Sequence, residues 1–469
     1  SIAFFTPSVE PTRSSFTSAP SCAVLSLTSA SCSAPSLQGA QLLLRLSQLL
    51  GSAQLLLLTS GTQSASTPQA AGRAHSGAWG FMRTLRMEQP HRKSFSADLP
   101  AGYDQSTFDV LQCISSGEPE QAYSRSGARH ALRLRPVSPL VSTSKEGVVS
   151  AQDALITGGL GGLGLRAATL LRSNGANRLV LTSRSGQVAR NARDLSQQLA
   201  RLSSSAAEVV VRACDVCEAE SARSIWLDAP RTSCVLHAAG SLHDTIILNM
   251  RADQLVASFG PKACGAAHLC TAAAGAHLSA FVLFSSVASA FGNVGQANYA
   301  AANSYLDTTS LVRRASALTA SCMQLPPVLG VGLGAETFSE GHITSISLDQ
   351  FAECLMATMT APVCSVHAPL AKALLRMLPS RLVEMQEGDE KASQAARATP
   401  ATLLLPPDQI ESLVQRTINE LSAGEVASVD VPLMEAGIDS LAATELSSRL
   451  RSLAGVEVSQ TIVFEQPTP

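Results

Sequence analysis

Short apolar runs alternate with helix-like stretches between residues 150 and 380, and this alternation constrains the chain more than any other feature. The runs fall at 154–157, 179–182, 209–212, 234–237 and 280–284. Unbroken apolar runs suit strands covered on both faces, and the spacing leaves room for a helix between successive strands. Such a pattern predicts an α/β unit built on a parallel, doubly wound sheet. The first run leads into Thr157-Gly158-Gly159-Leu160-Gly161-Gly162-Leu163-Gly164, which has five glycines in seven residues where a strand gives way to a helix. Glycines there permit a tight turn and let a pyrophosphate approach the backbone, and the helix amino terminus adds free N–H groups and positive dipole. The run is therefore read as the phosphate-binding turn of a dinucleotide site.

Composition narrows the function classes. Of 469 residues, 45% are apolar; 34 Lys and Arg face 36 Asp and Glu, for a formal charge of −2. Near-balance lacks the basic footprint of a nucleic-acid binder. The most leucine-rich stretch, 42–58, is interrupted by Arg45, Ser47, Gln48, Ser52 and Gln54, so no membrane span is expected. Eleven cysteines lie without framework spacing, many in apolar surroundings, as in a reducing compartment. Cys214 and Cys217 form a single Cys-x-x-Cys with no second pair, so no metal site is expected. These features predict a cytoplasmic protein. The start at Ser1, without methionine or leader, reads as a fragment of something longer and leaves a plastid or other organelle open.

Four regions separate along the chain. Residues 1–145 read as a looser α/β unit with a helix near 38–50 and a strand near 55–59, after a Ser/Thr/Pro-rich start expected to be disordered. Residues 146–383 hold the doubly wound unit, 384–401 read as a linker, and helical periodicity returns over 402–469, with Ile410, Leu413, Val414, Ile418 and Leu421 on one face.

The end of the second strand selects the cofactor. An acidic residue there would bind a ribose 2′-hydroxyl, whereas arginine suits a 2′-phosphate. The sequence reads Thr182-Ser183-Arg184-Ser185, without a carboxylate, and predicts NADPH bound through Ser183 and Arg184. Asp215, followed by Val216 just past the third strand, is a candidate adenine contact or a helix cap. Reducing a ketone by hydride transfer also needs an acid for the developing alkoxide, a charge that lowers that acid's pKa and a donor to the carbonyl oxygen. Lys262 is the one lysine between Lys145 and Lys372, and Tyr299 and Tyr305 are the only tyrosines in that span. Ser286 stands at the end of the fifth strand, and Asn303 lies one helical turn after Tyr299.

The Gly-rich run, His237-Ala238-Ala239-Gly240, Phe284-Ser285-Ser286 and Asn298-Tyr299-Ala300-Ala301-Ala302-Asn303 together resemble the ketoreductase domain of modular polyketide synthases, within the short-chain dehydrogenase/reductase superfamily. The resemblance implies two Rossmann-like units, a truncated non-catalytic half with Trp79-Gly80-Phe81-Met82-Arg83-Thr84-Leu85 and a catalytic one. It implies Tyr299 as general acid, Ser286 as donor to the carbonyl oxygen, and Lys262 and Asn303 as the rest of a tetrad. It places Thr157, Gly158, Gly159, Gly161, Gly162, Leu163, Gly164, Ala238, Ala239 and Gly240 with the cofactor. One departure stands out: Gln324-Leu325-Pro326-Pro327-Val328 occupies the place of the family's Asn-Trp-Gly stretch, which puts the active-site lid in question. In the same family an Asp after the fourth strand marks enzymes giving a D-configured hydroxyl, and a Trp eight residues before the tyrosine marks the opposite class. Here those positions hold Asp244 and Phe291, which predicts the D product; Asn298 agrees, while His243 and Val294 depart from that pattern.

Gly437-Ile438-Asp439-Ser440-Leu441 is similar to the Asp-Ser-Leu site of acyl carrier proteins. The resemblance implies 4′-phosphopantetheine on Ser440, added by a phosphopantetheinyl transferase, in a small helical carrier truncated before its last helix. Together the two likenesses imply a synthase segment that reduces a carrier-bound β-ketoacyl thioester and works with other polyketide synthase domains. The rival expectation is a degenerate reductase fold that merely positions the carrier.

Overall fold

The structure is a computed structural model. It describes residues 2–8, 11, 20–29, 33–51, 53–63, 71–103, 108–133, 153–188, 193–204, 208–329, 345–360 and 366–367. The linker and carrier regions read from the sequence, with Ser440, lie outside the described residues. The strands are β1 (Ile2–Phe5), β2 (Cys22–Leu27), β3 (Gln54–Ser60), β4 (Ser94–Leu99), β5 (Glu120–Tyr123), β6 (Arg129–His130), β7 (Asp153–Thr157), β8 (Arg178–Ser183), β9 (Glu208–Ala213), β10 (Cys234–His237), β11 (Ala280–Ser286), β12 (Ser321–Leu325) and β13 (Val366–His367). The helices are α1 (Gln38–Leu49), α2 (Gly77–Glu88), α3 (Val110–Ser115), α4 (Gly162–Ser173), α5 (Arg193–Ser203), α6 (Ala219–Leu227), α7 (Ala252–Phe259), α8 (Gly265–Ala272), α9 (Val287–Phe291), α10 (Ala297–Ala315) and α11 (Leu348–Thr360). None of the described helices is long and apolar enough to cross a membrane.

Strands β1 to β6 form one sheet in sequence order, parallel except for β6, which turns back on β5. The other seven form a wholly parallel sheet in the order β13-β12-β11-β10-β7-β8-β9. The five runs read from the sequence are β7 to β11. Consecutive residues of these strands point to opposite faces, and both faces are covered, only partly so at the edge strand β9. Ile156, Leu181, Leu236 and Phe284 pack with Leu165 and Leu171 of α4 and Phe351 of α11. Their neighbours Leu155, Val180, Val235 and Leu283 pack with Ile225 of α6, Leu269 of α8 and Leu306 of α10. Each fully buried side chain of this kind contributes roughly 1.5–3 kcal/mol relative to exposure, which is why the runs show no polar alternation.

The chain order reverses at β7, which lies between β8 and β10. A crevice opens at such a switch point beyond the carboxyl ends of the strands.

One expectation is corrected. The amino-terminal stretch expected to be disordered supplies β1 and β2, and Ala23, Val24 and Leu25 are fully buried against β3. The apolar run is short, and the serines and threonines around it obscure it in the sequence.

Helix α2 ties the first sheet to the second by packing along α10. Gly77 and Gly80 let the backbones approach so closely that a Cβ at Gly80 would collide with the Ala300 carbonyl. Buried Glu88, at the end of α2, accepts hydrogen bonds from the Ile247 amide at 2.6 Å and the Gly295 amide at 2.9 Å. Arg83 donates from Nε and Nη2 to Glu120, each at 2.9 Å, and from Nη1 to the Ser289 carbonyl. The loops around the second sheet's crevice are thus partly held by the first unit.

Candidate active site

The Gly-rich run makes a tight turn at the carboxyl end of β7. Gly158 has φ +67°, a left-handed conformation that favours glycine. A Cβ there would lie 2.7 Å from the Ala238 carbonyl group, so the turn presses on the segment after β10. The Gly159 amide donates to Thr182 O at 2.9 Å, and a Cβ at Gly164 would strike the Gly158 carbonyl. Gly161 caps α4 in an extended conformation with no side chain over the helix end. A bare helix terminus behind a glycine cradle fits the pyrophosphate of a dinucleotide.

The other expected cofactor residues share this edge of the sheet. Ser183 ends β8, and exposed Arg184 follows it in the turn. Ala238, Ala239 and Gly240 follow β10, and the Ala238 amide donates to Thr157 O at 2.9 Å. Val216 is buried just beyond β9. The helix-cap alternative for Asp215 is corrected: its Oδ1 accepts from the Cys217 amide at 2.9 Å in a turn, and Glu218 occupies the N-cap of α6. The chain turns once before that helix starts, which places Asp215 too early to cap it.

Lys262, Ser286, Tyr299 and Asn303 come together from different elements. Ser286 is the last residue of β11 and the N-cap of α9, its Oγ accepting from the Ala288 amide at 3.2 Å. Tyr299 lies in the first turn of α10. One turn on, Asn303 Nδ2 donates to Tyr299 O at 2.8 Å. Asn303 Oδ1 is buried without a hydrogen-bond partner, an acceptor left open beside the tyrosine. Lys262 sits in a single π-helical turn, Gly260–Cys264, inserted between α7 and α8. Its buried Nζ donates to Phe284 O at 2.8 Å and lies 5.2 Å from the Tyr299 ring centroid. That separation is within cation–π range.

Burial pushes the Tyr299 phenol up to about 12; Asp244 adds to the rise, and the neighbouring Asn303 and Ser286 side chains oppose it. Burial brings the Lys262 ammonium down to about 8, with Cys322 and Asp307 opposing. At neutral pH this is a protonated phenol beside a cation, a pair able to deliver a proton and to stabilise the phenolate left behind.

Asp307 was not singled out from the sequence. It continues the stripe of Tyr299 and Asn303, and that spacing of four was the available signal. Its carboxylate accepts from Ser289 Oγ at 2.6 Å, Gln324 Nε2 at 2.8 Å and Cys322 Sγ at 3.1 Å. Gln324, in the stretch that departs from the family pattern, is therefore a ligand of this buried carboxylate. Val328, just after β12, forms an isolated parallel bridge with Ile346. Asp244 Oδ2 accepts from Gln296 Nε2 at 2.8 Å, and half-buried Phe291 closes α9.

Known proteins match this arrangement. A family model described as "KR domain" matches residues 153–330, and one described as "Phosphopantetheine attachment site" matches 408–469. The chain is 30% identical over 470 residues to the spectinabilin polyketide synthase system protein NorA′ of Streptomyces orinoci, covering 89% of this chain and 12% of that one. It is 31% identical over 439 residues to the pikromycin polyketide synthase component PikAIII of Streptomyces venezuelae, covering 83% and 27%. The chain therefore spans about an eighth and about a quarter of these relatives. Among solved structures, A-type ketoreductases from a modular polyketide synthase align with TM-score 0.65 at 31% identity, covering 77% of this chain and 81% of that one. A C2-type ketoreductase aligns at 0.60 and 26%, covering 72% and 76%. Sequence and fold thus agree across both halves of the described chain, and it belongs to the modular polyketide synthase family as a ketoreductase with a phosphopantetheine attachment region behind it.

Proposed function

We propose that residues 146–383 reduce a carrier-bound β-ketoacyl thioester to the β-hydroxyacyl thioester with NADPH, supported by a non-catalytic unit at 1–145. A linker at 384–401 joins them to a carrier at 402–469 whose Ser440 holds 4′-phosphopantetheine. The observation that carries the reading is the meeting of Tyr299, Lys262, Ser286 and Asn303 beside the glycine cradle. A scaffold would not need a buried ammonium against a phenol ring, so the quartet favours reduction over mere positioning.

The glycine turn, Ser183 and Arg184 would hold the dinucleotide. When bound, the reduced nicotinamide supplies a hydride to the carbonyl carbon. Ser286 Oγ donates a hydrogen bond to the carbonyl oxygen, and the Tyr299 phenol gives its proton to that oxygen as negative charge develops. The phenol O–H bond breaks as the alcohol O–H bond forms, and a proton from solvent restores the phenol. Lys262 stabilises the transient phenolate.

A coupled assay tests the reading: full-length protein, NADPH and a diketide β-ketoacyl thioester should give the β-hydroxy product. Chiral chromatography should show the D-configured alcohol, on the assignment of Asp244 and Phe291. No NADPH consumption would overturn the reductase reading, and a predominantly L alcohol would overturn the stereochemical one. Arg184→Ala should weaken NADPH far more than NADH, because only the former offers a 2′-phosphate for a charge-assisted contact. Equal losses in titrations with both cofactors would remove Arg184 from that role. For the carrier, a phosphopantetheinyl transferase with coenzyme A should add one arm to the protein, and Ser440→Ala should abolish the mass increase. An arm found on another serine would refute the site.

A further inference from the structure

His237, the last residue of β10, is fully buried and takes no part in the chemistry above. Its ring joins two parts of the site far apart in sequence. Nδ1 lies 2.7 Å from Thr157 Oγ1, and Nε2 lies 3.0 Å from the backbone carbonyl oxygen of Lys262. A carbonyl only accepts, so this arrangement requires the proton on Nε2, with Nδ1 accepting from the Thr157 hydroxyl. Burial holds the imidazolium pKa down to about 4, so this neutral tautomer is kept at working pH. The ring also lies flush against the end of the π turn, since a Cβ at Gly265 would fall 2.9 Å from His237 Cε1. Thr157 immediately precedes the glycine cradle, and Lys262 is the centre of the π turn.

We propose that His237 is a positioning residue for Lys262: its imidazole pins the π turn to the end of β7, so that the ammonium stays between the Phe284 carbonyl and the Tyr299 ring. A π turn is a single widened loop within an otherwise regular helix, and one fixed carbonyl at its centre restricts where the side chain can aim. The titratable or charged groups that face Lys262 are Tyr299 and Asp307 of α10, Cys322 of β12 and His237 itself on β10. The inference rests on the reductase reading, in which the place of that ammonium matters to turnover.

Three variants of the full chain test it, using NADPH and a diketide β-ketoacyl thioester. Glutamine carries an amide as far as Nε2 and can still donate to Lys262 O; asparagine reaches only the position of Nδ1 and can meet Thr157 but not Lys262; phenylalanine keeps the ring and neither bond. His237→Asn and His237→Phe should lose on the order of 10–100-fold in kcat, as expected for displacement of a reacting group by about an ångström. The asparagine variant, which keeps the bond to Thr157, should leave the KM for NADPH unchanged, and His237→Gln should recover most of the loss.

The second readout does not depend on turnover. The chain has five lysines, so in protein labelled with ¹⁵N-lysine the Lys262 Nζ signal can be assigned by its loss in Lys262→Met. Its titration midpoint should move in the asparagine and phenylalanine variants and stay in the glutamine one. Asparagine performing as well as glutamine, all variants falling equally, or an unmoved Lys262 midpoint would overturn the proposal. Should phenylalanine prevent folding, the glutamine–asparagine contrast decides. An inactive parent would indict the reductase reading alone, and the lysine titration would still judge the positioning.

Discussion

Replacing Tyr299 with phenylalanine is expected to cut reduction of a β-ketoacyl thioester by about 10²–10⁴-fold, the usual worth of a positioned general acid, with NADPH binding unaltered. The ring fills the same space and still faces Lys262 Nζ, 5.2 Å from its centroid in the parent; only the proton donor is lost. The parent should show a matching pH signature. The buried ammonium, brought down to about 8, is charged below that value and neutral above it, so the rate should fall as pH rises through that region. Steady-state rates with a diketide thioester and fluorescence titration of NADPH check both statements. A phenylalanine variant at the parent's rate would show that the proton comes from elsewhere.

Gly80→Ala should have the second-largest effect, although Gly80 lies in the first unit, apart from the proposed catalytic residues. Its new Cβ would strike the Ala300 carbonyl; the backbone of α2 fixes the one atom and the backbone of α10 the other, so neither can rotate aside. Overpacking of this kind costs roughly 1–3 kcal/mol, with backbone against backbone at the upper end. Ala300 is next to Tyr299 in α10, so the strain reaches the phenol directly. A shift of about 1 Å in a reacting group is worth up to about 10²-fold in rate. Thermal unfolding should show a lower midpoint, and kcat should fall while the KM for NADPH holds. Parent-like stability and turnover together would mean that the two helices are not in close contact.

Much of this was legible from residue order. The runs at 154–157 and 234–237 have no polar alternation because both faces of β7 and β10 are covered, and that made the doubly wound sheet readable. The glycine cradle was legible for a local reason: chain geometry at Gly158 and Gly164 forbids a side chain. Three features were not. Strand β2 lies in a stretch of serine and threonine, and its burial depends on β3, a partner thirty residues on. The roles of His237 and Asp307 depend on which residues face them across elements, which periodicity does not encode. The π turn had a trace in Gly260-Pro261-Lys262, a helix-breaking pair directly before the lysine, but a break in sequence does not say that the helix widens and continues.

The glycine-to-alanine seam between α2 and α10 has a consequence for anyone recombining such synthases. Residues on either side of that seam act as a matched pair: Gly77 and Gly80 are small because Ala300 and Ala301 lie against them, and Glu88 is cut to the length that meets the Ile247 and Gly295 amides. A crossover placed between residues 133 and 153, where the two sheets adjoin in sequence, would join one parent's α2 to another parent's α10 and leave the fit to chance. Grafts that carry both sheets from one parent keep the pair together. The natural unit of exchange is therefore the whole span from β1 to β13, even though only its later part carries the proposed chemistry.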